Sequence, residues 1–280
     1  MIAKIISSTQ LSPDETALEV GPGQGALTQL IAPKVARLIA VEKDHRLIPA
    51  LSKIENIELH ESDILEFDIA SIGSGIKIIT NLPYNISSKA LKHFASYKSH
   101  LSAIYIMLQK EFAEKMVNPM GSALSCYLNH HFNLSYLFEI PPACFTPRPR
   151  VRSAFISLIP NANPLEIEFF PFLELCFQER RKLLCKGLKK RYKEEKITEA
   201  YNSLGIDLNI RVEKLDEVSH FLEFCRSSKR GLIGLLGSRA DIEQQETEEE
   251  LEELMKEAEV ELKEVRASAE ARQELIRSEV

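Results

Sequence analysis

Short apolar runs alternate with amphipathic stretches through the first 160 residues. Ala17-Leu18-Glu19-Val20 leads into a glycine-rich turn, and a helical stretch follows from about Ala26 to Ala32. Leu38-Ile39-Ala40-Val41 ends at Glu42, Ile57-Glu58-Leu59 precedes Ser62-Asp63, and Ile76-Lys77-Ile78-Ile79 precedes Asn81. A fifth run covers Leu101 to Leu108, with an amphipathic helix around Lys110 to Met116 behind it. Apolar runs of strand length separated by helical periods predict an α/β protein, its sheet mostly parallel and covered on both faces. After Pro141-Pro142, the run Ala154 to Leu158 reads as a late antiparallel strand that closes the sheet.

Pro160 to Pro164 reads as a linker. Beyond it the periodicity turns helical over Phe172 to Leu188, Ile197 to Leu204 and Val218 to Cys225. The pattern divides the chain into an α/β domain over 1–160, a small helical domain over 161–230 and a tail over 231–280. In the tail, Leu251, Leu254, Ala258, Leu262, Val265 and Ala269 recur every three or four residues, the stripe of one long helix. Its flanks are rich in Glu, so it is either a partner-binding helix or a solvated one, and its partner is unknown.

Composition narrows the class. Of 280 residues, 44% are hydrophobic and 27% charged, the balance of a globular chain long enough to bury a core. No apolar run reaches the 18 or so residues of a membrane span, and the first residues carry no signal-peptide pattern. The five cysteines are spaced irregularly without a CxxC pair, which argues against a disulfide framework and a zinc site. The expectation is a cytoplasmic protein that holds no metal and meets no membrane. Net charge is −6 overall, but Asp241 to Val280 carries 15 acidic and 5 basic residues. The remaining 240 residues are net +4, so an acidic total hides a mildly basic body suited to a polyanion.

Chemistry-bearing residues gather at the predicted strand ends. Glu19-Val20-Gly21-Pro22-Gly23-Gln24-Gly25 joins the first strand to a helix, where glycines allow close backbone approach to a ligand. It is neither a Walker loop nor the dinucleotide GxGxxG pattern. Glu42, about 20 residues on, is placed to accept both ribose hydroxyls, and Asp63 to accept from an adenine amine with Ile64 against the ring. S-adenosyl-L-methionine, with an adenine, a ribose and no phosphate, fits that set. Asn81-Leu82-Pro83-Tyr84 follows the fourth strand. An aromatic amine is a poor nucleophile because its lone pair is delocalised. Acceptors at the Asn81 side chain and the Leu82 or Pro83 carbonyl would favour a tetrahedral nitrogen that can attack a sulfonium methyl. Tyr84 can stack on the base.

Taken in order, EVGPGQGALT, VEKD, NLPYNISS, MLQKE, CFTPRPRVRSAFISL and FQERRKLLCKGL strongly resemble the KsgA-type small-subunit ribosomal RNA adenine dimethyltransferases. The resemblance runs from about Thr16 to Phe224. It implies a Rossmann-like class I methyltransferase sheet with a small helical domain. The implied activity moves two methyl groups to the exocyclic amine of each of two adjacent adenosines near the 3′ end of the rRNA, during small-subunit assembly. By the same resemblance Gly21, Glu42, Asp63 and Asn81 bind the methyl donor, with Glu19, Gly23 and Ile64 beside them. Asn81, Leu82, Pro83 and Tyr84 meet the target base, and Phe145 stacks on its other face. A base must leave its helix to be methylated, which makes an aromatic clamp sensible.

Arg148, Arg150, Arg180, Arg181 and Lys182 are candidates for RNA phosphates, as are Arg152, Lys186, Lys189, Lys190 and Arg191. Immature small ribosomal subunits are the expected partner. Three departures from the family pattern stand out. No QNFL-like segment precedes the Gly loop, which predicts a weakened hold on the donor. The loop at Asn118 to Gly121 is short, and the acidic tail has no family counterpart. Two other readings stay open: a non-catalytic assembly or RNA-binding factor, and a large-subunit rRNA adenine methyltransferase.

Overall fold

A computed structural model of the chain describes residues 1–145, 148–163, 169–178, 182–205, 207 and 209–212. The glycine-rich turn, both acid-bearing strand ends and the Asn81 turn all lie within them. The predicted helix from Val218 and the acidic tail lie outside, as do Arg180 and Arg181.

Helix α1 (Ile2–Ser8) precedes β1 (Thr16–Val20), α2 (Thr28–Ile31), β2 (Arg37–Glu42), α3 (Ile48–Leu51), β3 (Ile57–Glu61) and β4 (Ile76–Thr80). Then come α4 (Ser87–Ser96), β5 (Leu101–Gln109), α5 (Lys110–Val117), α6 (Ala123–His131), β6 (Phe132–Ile140) and β7 (Ser153–Pro160). Helices α7 (Phe169–Gln178), α8 (Leu184–Leu188) and α9 (Glu194–Leu204) follow. The seven strands form one sheet in the order β3-β2-β1-β4-β5-β7-β6. Strands β1 to β5 are parallel to one another, whereas β7 runs antiparallel between β5 and β6.

Side chains of the central strands alternate between two buried faces, as strand geometry requires. Leu18, Ile78, Ile104, Ile106 and Leu108 face one cluster, which α4 fills with Ala90, Leu91 and Phe94. Ala17, Ile79, Ala103, Tyr105 and Met107 face the other, covered by Ile5 and Ile6 of α1 and by Ile31 and Val35. Leu173, Leu184, Leu188, Ile197 and Tyr201 of α7 to α9 join the first cluster, so the described C-terminal helices pack on the sheet's own core.

Two expectations are corrected. The run at Ala154 does not close the sheet: β7 is an interior strand, and β6 forms that edge. The helical period over Phe172 to Leu188 is split between α7 and α8. Leu183 is extended there and forms an isolated bridge to Arg211, which replaces a helical turn.

Candidate active site

Strand order puts β3, β2, β1 and β4 side by side, so their carboxyl ends bring the Gly loop, Glu42, Asp63 and Asn81 to one edge. Sequence reversal between β1 and β4 makes this the crevice where open α/β sheets bind ligands. Gly21 has φ +66°, a left-handed conformation that disfavours side chains, and its amide donates to the Val41 carbonyl at 2.9 Å. A Cβ there would stand 3.4 Å from Leu82 Cδ2, so the Gly loop lies directly against the Asn81 turn. Gly25 is tighter still. At φ +80°, its absent Cβ would sit 2.6 Å from Ile54 Cδ1, which is how the loop seats itself next to α3.

The acids hold different states. Glu42 is 8% exposed and receives the Gly23 amide on Oε2 at 3.1 Å and the Asp44 amide on Oε1 at 2.9 Å. Those two bonds fix its plane while leaving each oxygen a further lone pair. Glu19 is 2% exposed, and its Oε2 has no hydrogen-bond partner among the described residues. Burial pushes its carboxyl up to about 7; the Thr28 hydroxyl opposes the rise and the charge of Glu42 adds to it. Asp63 goes the other way. Its Oδ2 takes the Lys43 ammonium at 2.7 Å and its Oδ1 the Leu65 amide at 2.9 Å, and those bonds, Lys43 first, hold its carboxyl below the usual range. Lys43 itself is largely in solvent, so this partner can swing away. Ile64 beside it is buried.

Past β4, Asn81 and Pro83 are exposed, Leu82 is buried and Tyr84 is half-buried. Pro83 starts a short 3-10 turn over Tyr84–Ile86, and its carbonyl accepts the Ile86 amide at 3.2 Å. Of the two carbonyls proposed as amine acceptors, Pro83's is therefore already engaged. The Tyr84 hydroxyl is hydrogen-bonded to Ser153 Oγ at 2.5 Å.

Phe145 follows a 3-10 turn at Pro142–Cys144 and is half-buried, packed against the apolar cluster that contains Ile140 and Phe155. Arg148, Arg150 and Lys182 are exposed. Arg152 is exposed too, but its Nη1 pairs with Glu139 Oε2 at 2.9 Å. Lys110 Nζ takes Glu139 Oε1 at 2.5 Å. The pattern of arginines alone suggested a phosphate contact at Arg152. In the structure the same guanidinium ties the loop before β7 to the sheet edge. Sequence reasoning also missed Lys43 and Ser153, whose partners are 20 and 69 residues away.

A buried carboxylate oxygen without a partner, a glycine cradle and an oriented second acid fit a cationic nucleoside donor. The sheet order and the site together define a Rossmann-like class I methyltransferase. Residues 1–229 match the model of the ribosomal RNA adenine dimethylase family, and the chain belongs to that family. Among curated relatives, the ribosomal RNA small subunit methyltransferase A of Dechloromonas aromatica is 39% identical, over 76% of this chain and 87% of that protein. Its counterpart in Nitrosospira multiformis is 35% identical over 76% and 86%. Among solved structures, the 23S rRNA methyltransferase ErmE is 26% identical with a TM-score of 0.61, covering 84% of this chain and 96% of that one. A dimethyladenosine transferase from Plasmodium falciparum shares the fold, with a TM-score of 0.65 at 23% identity, over 82% and 96%.

Proposed function

We propose that this protein uses S-adenosyl-L-methionine to dimethylate the exocyclic amines of two adjacent adenosines near the 3′ end of small-subunit rRNA, in the cytoplasm, on immature small subunits. The observation that carries the reading is the close approach of Gly21 to Leu82, where an added Cβ would stand 3.4 Å from Leu82 Cδ2, which sets the donor loop beside the Asn81-Leu82-Pro83-Tyr84 turn. Family membership and relatives named for the small subunit support it.

In this reading the donor is held by Gly21 and Gly23 of the loop, by Glu42 at the ribose hydroxyls, and by Asp63 with Ile64 at the adenine. Glu19 offers a buried negative acceptor to a positively charged ligand, and Asn81 borders the same space. When bound, the donor supplies an electrophilic methyl group on a sulfonium. The chain's own work is to make the adenine nitrogen nucleophilic. Asn81 Oδ1 and a backbone carbonyl accept the two N–H bonds; the Leu82 carbonyl is the candidate with both lone pairs free of the 3-10 turn, since Pro83's already takes one bond from Ile86. That drives the nitrogen towards a tetrahedral shape and frees its lone pair. Pro83 stiffens the turn, and Tyr84 and Phe145 flank the base. The extra proton leaves to water after transfer, so no general base is required. One preorganised contact of this kind is worth about 100-fold in rate.

Arg148, Arg150 and Lys182 suit phosphate contacts on the body's basic surface; Arg180 and Arg181 are assigned the same role from the sequence alone. A second reading takes large-subunit rRNA as substrate, from the likeness to a 23S rRNA methyltransferase. It is the weaker one, at 26% identity against 39% for the small-subunit relative. Incubating the protein with labelled donor and either immature small subunits or large-subunit rRNA separates the two. Label confined to small-subunit adenosines, and lost in Asn81→Ala, supports the proposal; label in large-subunit rRNA alone, or full activity in Asn81→Ala, refutes it.

A further inference from the structure

The proposed mechanism needs Tyr84 as a flat wall for the target base, and a half-buried tyrosine on a surface turn has a ring free to swing about two side-chain torsions. What restrains it here is its far end. The Tyr84 hydroxyl and Ser153 Oγ are 2.5 Å apart, and Ser153 is 0% exposed. Ser153 is itself fixed from both sides, because it opens β7 opposite Gln109 of β5 and opposite Ile140 of β6. The residue before it is pinned as well: the Arg152 carbonyl accepts the Lys110 amide at 3.0 Å, and its guanidinium pairs with Glu139. The anchor is thus part of the sheet, not part of the short 3-10 turn that carries the ring.

From these contacts we infer that Ser153 is a positioning residue for the methyl transfer, acting through the Tyr84 hydroxyl. It locks the phenol ring at the angle needed to receive the unstacked adenine. The inference rests on the proposed role of Tyr84 and adds a residue that touches neither donor nor base. A hydroxyl held at the end of a buried strand resists exchange for water, so the restraint persists when the site is wet. Replacing Ser153 with alanine leaves the ring in place but lets it sample orientations that do not stack. Loss of one such bond lowers turnover by about fivefold to tenfold, with no change in the donor site, which lies on β1 to β4.

The test uses the full chain with its seven tyrosines labelled as 3-fluorotyrosine. In the fluorine spectrum of the protein alone, the Tyr84 signal is assigned by its loss in Tyr84→Phe. Ser153→Ala should move or broaden that signal, and Ser153→Thr, which keeps a hydroxyl, should return it towards the parent position. On immature small subunits, Ser153→Ala should lower kcat about fivefold to tenfold while KM for the particle and calorimetric donor affinity hold. Ser153→Thr should recover most of the loss. The Tyr84→Phe, Ser153→Ala double variant should be no slower than the slower single variant. An unmoved Tyr84 signal in Ser153→Ala overturns the inference, as does a kcat within twofold of the parent or a double variant whose losses multiply. If the parent protein fails to methylate the particle, the proposed function falls, and the fluorine spectrum alone decides whether Ser153 holds the ring.

Discussion

Glu19→Gln is the most informative single change, because the parent carboxyl is held in a costly state. Its pKa is displaced from 4.5 to about 7, chiefly by burial, which corresponds to about 3 kcal/mol. Between those two values the unfolded chain has released a proton that the folded chain keeps. Folded protein therefore binds more protons there, and its stability falls as pH rises from about 4.5 through about 7. From this group alone the parent has lost under about 1 kcal/mol at pH 5 and about 3 kcal/mol at pH 8. Glutamine cannot ionise, and whatever its buried amide costs is the same at both pH values. The stability difference between variant and parent should therefore shift by about 2 to 3 kcal/mol in favour of Glu19→Gln on going from pH 5 to pH 8. Urea unfolding without donor, at the two pH values, measures it directly. A difference that stays constant between pH 5 and pH 8 would refute the claim that Glu19 is buried in a strained ionisation state. In the proposed site the cost has a purpose, since a carboxylate short of partners is a strong acceptor for a positively charged ligand. Donor affinity should accordingly rise from pH 6 to pH 8 in the parent and stay flat in the variant.

Three further outcomes follow from the same geometry. Gly25→Ala forces a Cβ to within 2.6 Å of Ile54 at φ +80°, so it should destabilise the fold by about 2 kcal/mol in thermal or urea melts. Asp63→Ala should weaken calorimetric donor binding at least tenfold while leaving the melt little changed, because its partner Lys43 is mostly solvated. Lys77→Met removes a nearly buried ammonium that holds Glu15 at 2.7 and 2.8 Å and the Gln10 carbonyl at 2.9 Å; about 2 kcal/mol of stability should go, read by urea unfolding at neutral pH.

The parallel half of the sheet was legible because strands buried on both faces must be largely apolar, and β1, β2, β4 and β5 are, Glu19 and Lys77 being the buried charged exceptions inside them. Their order was not written in the runs themselves. It comes from pairing, and with it the fact that Glu19, Glu42 and Asp63 stand on neighbouring strands. Strand β6 escaped because helix α6 passes into it at Phe132 with no turn residue between, although Phe132 to Ile140 alternates buried and exposed positions. The acids could be placed at strand ends from spacing, but their states could not. Glu19 and Asp63 are both carboxylates before a turn, but burial drives Glu19 up while the Lys43 ammonium and the Leu65 amide hold Asp63 down, and neither environment is written in the local sequence. Arg152 was legible only as one more basic residue; its pairing with Glu139 comes from β6 lying beside β7.

The central claim is tested most directly by mass spectrometry of rRNA from immature small subunits treated with this protein and methyl-labelled S-adenosyl-L-methionine. Two adjacent adenosines near the 3′ end should each carry two labelled methyl groups on the exocyclic nitrogen. Unlabelled small-subunit rRNA, or label confined to a ring nitrogen or to large-subunit rRNA, would contradict it.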